Sequence, residues 1–225
     1  MTVNENLQTI GQRIRNAEQC YGREPNSVSL LAVSKRHPAT AITTAHQSGQ
    51  ISFGENYAQE MAEKSAELRL PIEWHFIGPI QSNKTRQIAE IARWVHTVDR
   101  LKIAQRLGAQ RPSGAEPINI CLQVNISGEA SKSGIHSDEL PKLAEQVAGI
   151  SGITLRGLMT IPASETNFDQ QRVAFAKLRA LQEQLISNGL ALDTLSMGMT
   201  GDMEAAIAEG ATIVRIGTAI FGQRD

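Results

Sequence analysis

Eight short apolar runs recur along this 225-residue chain, and the stretches between them carry helical spacing or helix-start signals. The runs cover 29–35, 51–54, 72–77, 94–98, 118–125, 153–159, 194–197 and 211–216, each short enough for a buried strand. Ahead of them Leu7, Ile10, Ile14 and Ala17 recur at helical spacing, which predicts an amphipathic helix over 4–20. Pro38 opens a helix that Gly49 closes, and another follows Tyr57 to about 68. Ser82, Asp99, Ser137 and Asp202 stand where caps of four later helices are expected. Ala174, Leu178, Leu181 and Leu185 mark one face of a helix over 167–188. Eight strands alternating with helices predict a single α/β domain over 1–225: a (βα)₈ barrel of the TIM type with an extra N-terminal helix. The rival is an open doubly wound sheet, which usually places a glycine fingerprint after its first strand. Here that strand is followed by Lys35-Arg36-His37-Pro38.

Charge and composition narrow the function. A formal net charge of −1 without a basic block argues against nucleic acid and anionic membranes as partners. No apolar run approaches the ~20 residues that span a bilayer, and the polar N-terminus lacks a secretory pattern. Cys20 and Cys121 form no CxxC and are expected to be reduced and buried, which suits a cytoplasmic compartment; a monomer is expected. The five histidines show no metal-ligand spacing, so no metal is expected.

The chemistry collects at the strand ends. Alternation puts Leu31, Val33 and Lys35 on one face of the first strand, and apolar neighbours there desolvate the lysine. A desolvated lysine is a nucleophilic amine that condenses with aldehydes; the plain alternative is a strand-end lysine whose head reaches water. In a barrel, phosphate is commonly held after strands 7 and 8. Those places carry Ser196-Met197-Gly198-Met199-Thr200-Gly201 and Gly217-Thr218-Ala219, whose glycines admit backbone donors and whose hydroxyls add to them. Arg215, near the end of strand 8, neighbours strand 1 once the barrel closes. A lysine, an arginine and a phosphate nest around one cavity match pyridoxal 5′-phosphate. The arginine would donate to the ring nitrogen and keep it unprotonated.

Five strings then carry a resemblance that runs nearly end to end. Leu31-Ala32-Val33-Ser34-Lys35, Phe53-Gly54-Glu55-Asn56-Tyr57, Trp74-His75-Phe76-Ile77-Gly78-Pro79-Ile80-Gln81-Ser82-Asn83-Lys84, Leu195-Ser196-Met197-Gly198-Met199 and Val214-Arg215-Ile216-Gly217-Thr218-Ala219-Ile220-Phe221-Gly222 resemble the YggS/PROSC-type pyridoxal phosphate homeostasis proteins. That family is similar in fold to the alanine racemase N-terminal barrel. The resemblance implies that Lys35 is the Schiff-base lysine, that Ser196, Gly217 and Thr218 contact phosphate, and that Arg215, Asn56 and His75 contact the ring. Met197 and Gly198 join the cofactor set as members of the loop after strand 7. Two departures stand out: Arg36-His37 follow the lysine where threonine and lysine are frequent in the family, and Thr200-Gly201-Asp202 replaces the commoner Ser-Asp-Asp.

The expected function is therefore a cofactor carrier that stores pyridoxal phosphate and delivers it to apoenzymes without turning over amino acids. The alternative is an amino-acid racemase of the alanine racemase type, which needs a base on each side of the α-carbon. In that type the second base is a tyrosine from a separate domain, and the chain stops at Asp225 with only Tyr21 and Tyr57. Lys84 and Lys132 are read as solvated loop lysines, with a part in closing the site or in cofactor transfer as the sharper alternative.

Overall fold

The computed structural model describes residues 2–129 and 132–223. Ala130 and Ser131, in the chain just before the loop lysine Lys132, lie outside the described residues. Eight parallel strands close in chain order: β1 (Ser29–Val33), β2 (Ser52–Glu55), β3 (Glu73–Phe76), β4 (Trp94–Val98), β5 (Ile118–Gln123), β6 (Ile153–Met159), β7 (Thr194–Ser196) and β8 (Ile213–Ile216). Helix α1 (Val3–Cys20) precedes the barrel. Helices α2 (Ala39–Gln47), α3 (Ala58–Glu67), α4 (Thr85–Ile91), α5 (Leu101–Gln110), α6 (Leu140–Ala148), α7 (Phe168–Ser187) and α8 (Met203–Ala208) follow successive strands. A four-residue α9 (Thr218–Phe221) after β8 is too short to leave a periodic signal in sequence.

Helix α1 starts where Thr2 and Glu5 form a reciprocal capping box, and it buries Leu7, Ile10, Ile14 and Ala17. It packs on α2, α8 and α9, and Asn6 Nδ2 donates to the Ile220 carbonyl at 2.8 Å. Cys20 is exposed rather than buried, because it ends α1 off this apolar stripe; Cys121 is buried, and burial pushes its thiol up to about 12. Helix α7 buries Phe175, Leu178, Gln182 and Leu185, one side of the face read from the sequence.

Three of the four expected caps do other work. Ser82 opens a 3-10 turn over Ser82–Lys84, its carbonyl accepting from Thr85 Oγ1. Asp99 pairs with Arg100, and Ser137 precedes Glu139, the residue at the N-cap of α6. Asp202 does occupy the N-cap of α8, but its carboxylate accepts from Met199 N in the preceding loop. Polar side chains near helix starts have several backbone donors within reach, and loop geometry selects among them.

Helices cover the outer face of the sheet, so the strands are apolar on both sides. Leu31, Val33, Ile77, Trp94, Cys121, Met159 and Ile213 fill the barrel, while a larger core lies between strands and helices. Each fully buried leucine, isoleucine or phenylalanine contributes about 1.5–3 kcal/mol. No helix among the described residues is long and apolar enough to cross a membrane.

Candidate functional site

The β1–β8 seam organises the site. Leu31 lies opposite Arg215 and Ala32 opposite Ile216, so the inward faces of the two strands carry Leu31 and Val33 beside Ile213 and Arg215. β1 ends at Val33, two residues short of the expected end, yet the same alternation delivers Lys35 to the mouth of the barrel. One strand over, Asn56 follows β2. Lys35, Asn56, Arg215, Gly217 and Thr218 line one cavity of about 170 Å³, walled by Val33, Ile77 and Ile161 and rimmed by Met199 and Thr200. Its described lining carries two basic side chains, Lys35 and Arg215, and no carboxylate. The Met199–Thr200 rim depends on Gly198, whose φ of +95° and close approach to α8 exclude a side chain: a Cβ would sit 2.6 Å from the Ala206 Cβ.

Arg215 is 5% exposed, and burial lowers its guanidinium to about 10, so it stays charged at neutral pH. Its Nη2 donates to the Thr160 carbonyl at 2.9 Å and its Nη1 to Ser196 Oγ at 2.9 Å. Ser196 Oγ lies 2.7 Å from His96 Nδ1, His96 Nε2 lies 2.9 Å from His75 Nδ1, and His75 Nε2 lies 2.9 Å from Glu73 Oε1. Burial holds both imidazoles below their ordinary 6.5; for His96 the charges of His75 and Arg215 add to it. A neutral imidazole donates with one nitrogen and accepts with the other, so the partners order the protons in one direction. Ser196 donates to His96, His96 to His75, and His75 to the Glu73 carboxylate. A single-file chain thus runs from the carboxylate that opens β3 to the guanidinium of the cavity.

Residues 6–225 match the family model described as the N-terminal domain of alanine racemase. Over 225 residues the chain is 60% identical to the pyridoxal phosphate homeostasis protein of Pseudomonas aeruginosa, covering 100% of this chain and 96% of that one. It is 49% identical to the Escherichia coli K12 protein of the same name, over 99% and 97% of the two chains. This chain belongs to the pyridoxal phosphate homeostasis protein family. Among solved structures, PipY of Synechococcus elongatus with PLP bound superposes with a TM-score of 0.85 at 35% identity, covering 98% of this chain and 100% of that one.

In this homeostasis-family barrel, four of the nine residues gathered from the sequence stand away from the cavity lining. His75 and Ser196 lie in the chain that supports Arg215, and the Ser196 hydroxyl, expected on a phosphate, is engaged by Arg215 and His96. Met197 packs in the core between strands and helices, and Gly198 turns the loop. Tyr21 stacks on Phe168, whereas Tyr57 and Lys84 line a neighbouring cleft of about 620 Å³ that shares Asn56, Ile77 and Ile161 with the cavity. Lys132 stands 3.9 Å from Glu129. Sequence reasoning missed His96 and Thr160, and it placed Thr200 in the loop after strand 7 without giving it a contact of its own. His96 had a usable signal: it lies two residues after Trp94, which pairs in register with His75, so alternation on adjacent strands brings the two rings together.

Proposed function

We propose that this chain, as one barrel domain, holds pyridoxal phosphate on Lys35 and delivers it to apoenzymes, acting as a cytoplasmic monomer that does not turn over amino acids. The observation that carries this reading is the cavity in which an amine and a buried guanidinium meet with no carboxylate among the described lining residues. The homeostasis proteins at 49% and 60% identity and the PLP-bound PipY support it. The residues fit the group. Asn56 Oδ1 is buried at the cavity without a hydrogen-bond partner among the described residues, and a Cβ on Gly217 would come 3.1 Å from the Val33 carbonyl, so glycine keeps that wall open.

When bound, the cofactor supplies an aldehyde for an amine and an anionic phosphate. Lys35 contributes the amine. Thr200, Gly217 and Thr218 would hold the phosphate, and Asn56 and Arg215 the polar atoms of the ring. Arg215 carries only N–H donors, so a ring nitrogen held beside it would accept a hydrogen bond and gain no proton, which would weaken the ring as an electron sink. Ser196 and the Thr160 carbonyl orient that guanidinium from behind.

The test pairs two incubations of the loaded protein, one with L-alanine in heavy water and one with an apo-transaminase. The expected result is activation of the apoenzyme with no α-deuteration of alanine. Exchange with racemisation at about 1 s⁻¹ or faster, as ordinary enzymes show, overturns the carrier in favour of the racemase. Borohydride reduction and peptide mapping should place the cofactor on Lys35; a label elsewhere removes the basis of the site.

A further inference from the structure

Lys35 sits in a turn that its own sequence does not favour. His37 N donates to the Ser34 carbonyl at 3.0 Å, closing a four-residue turn over 34–37. Arg36, the third residue, has φ +62°, while Lys35 is not among the described non-glycine residues with positive φ. Negative then positive φ is the pattern of a type II turn, whose third position normally takes glycine. Arg36 carries a Cβ there, so the turn needs support from outside.

That support comes from α3. The side chain of Lys64 is buried, and its Nζ donates to Glu55 Oε1 at 2.7 Å, to Glu60 Oε1 at 2.7 Å and to the Ser34 carbonyl at 2.9 Å. These contacts use all three donors of an ammonium. Glu55 Oε1 also accepts from Ser34 Oγ at 2.7 Å, and Glu60 Oε1 accepts from Arg36 N. The residue before Lys35 and the residue after it are therefore fastened to one triad. Strand alternation explains the division of labour: Ser34 and Glu55 face the helices, while Lys35 and Asn56 reach the cavity. An ion pair that served stability alone would have no need to direct its hydrogen bonds onto the backbone on both sides of one lysine.

We infer that the Glu55–Lys64–Glu60 triad is the positioning device of Lys35, with Glu60 acting through the Arg36 amide to hold the turn that aims the amine into the cavity. This rests on Lys35 being the lysine that takes the cofactor. None of the three residues lines the cavity. A turn released from the triad samples other conformations, and the amine meets an incoming aldehyde in the productive geometry less often.

The experiment compares Glu60→Ala with Glu60→Gln, whose amide oxygen can still accept from Arg36 N and Lys64. Two readouts are taken: the rate at which borohydride traps pyridoxal phosphate on Lys35, and hydrogen exchange at the Arg36 amide of the cofactor-free protein. Glu60→Ala should slow trapping about tenfold and accelerate exchange at least tenfold, with Glu60→Gln within about twofold of the parent on both. The double variant Glu55→Gln/Lys64→Met, which removes the Ser34 carbonyl's donor and leaves only the part-exposed Glu60 carboxylate without its cation, should also slow trapping. Unchanged exchange in Glu60→Ala refutes the clamp, and faster exchange with unchanged trapping refutes its positioning role. Equal loss in Glu60→Gln and Glu60→Ala shows that charge, not the hydrogen bond, matters and overturns the proposed route. Should the parent protein carry no label on Lys35, the carrier reading fails separately, while the exchange comparison still decides whether the clamp exists.

Discussion

Two polar networks converge on the cavity, and they solve burial in opposite ways. Behind Lys35, Lys64 is an ammonium between two carboxylates, with Glu55 0% and Lys64 8% exposed at the side chain. Beneath Arg215 the chain is neutral through its middle, with His75 and His96 held below their ordinary values and charge confined to Glu73 and Arg215 at its ends. The ionic triad keeps geometry at the cost of burial: desolvation raises the Glu55 carboxyl against the pull of Lys64, and Glu55 Oε2 has no partner among the described residues. The histidine chain spends no buried charge in its interior and still transmits polarity across the barrel. Losing one member should therefore strand a charge in the first network and only hydrogen bonds in the second.

The largest effect should come from Lys64→Met, which leaves Glu55 buried without its cation and should cost about 3–5 kcal/mol in urea unfolding at unchanged m-value. Glu55→Gln/Lys64→Met should recover most of that loss, because the one carboxylate left without Lys64 is Glu60, whose side chain still reaches solvent at 21% exposure. If the single and double variants unfold alike, the triad is not an ionic device and the contrast breaks.

His96→Leu comes next. It leaves the Ser196 hydroxyl proton without its acceptor and His75 Nδ1 without its donor, while Arg215 still donates to Ser196 Oγ, a loss of about 1–3 kcal/mol. A loss equal to that of Lys64→Met would show that the chain carries charge through its middle.

The smallest effect separates the two networks by pH. His75 and His96 titrate lower in the folded state than their ordinary 6.5, so their stabilisation is complete above that value and drains as pH falls through it toward the folded values. Glu55 is raised above its ordinary 4.5, so its contribution is complete below 4.5 and is lost as pH rises through the folded value. As pH falls from 7 to 5 the two slopes oppose each other. Unfolding free energies across that window should decline less steeply in His96→Leu and more steeply in Glu55→Gln than in the parent protein. A Glu55→Gln profile parallel to the parent's would remove Glu55 from the account.

What the sequence by itself determined was whatever depends on neighbours in the chain. Apolar runs of strand length, alternating with helical stretches, specified the barrel, because period and order are local properties. Lys35 and Arg215 were legible for the same reason: one lies just past the end of β1 and the other next to the end of β8, at a known side of the barrel, and closure joins the first strand to the last. Only the tertiary structure decided which polar atoms meet. Ser196 reads as a phosphate donor from its loop, but its hydroxyl goes to His96, 100 residues away, and to Arg215. Lys64 reads as one polar position on an amphipathic helix, although its spacing of three from Met61 and six from Ala58 sets it on the buried face. Its role emerges only when α3 lies against the turn at Ser34, 30 residues earlier. Hydrogen bonds reach about 3 Å and have direction, so their partners are selected by the packed geometry of distant elements, which no local pattern encodes.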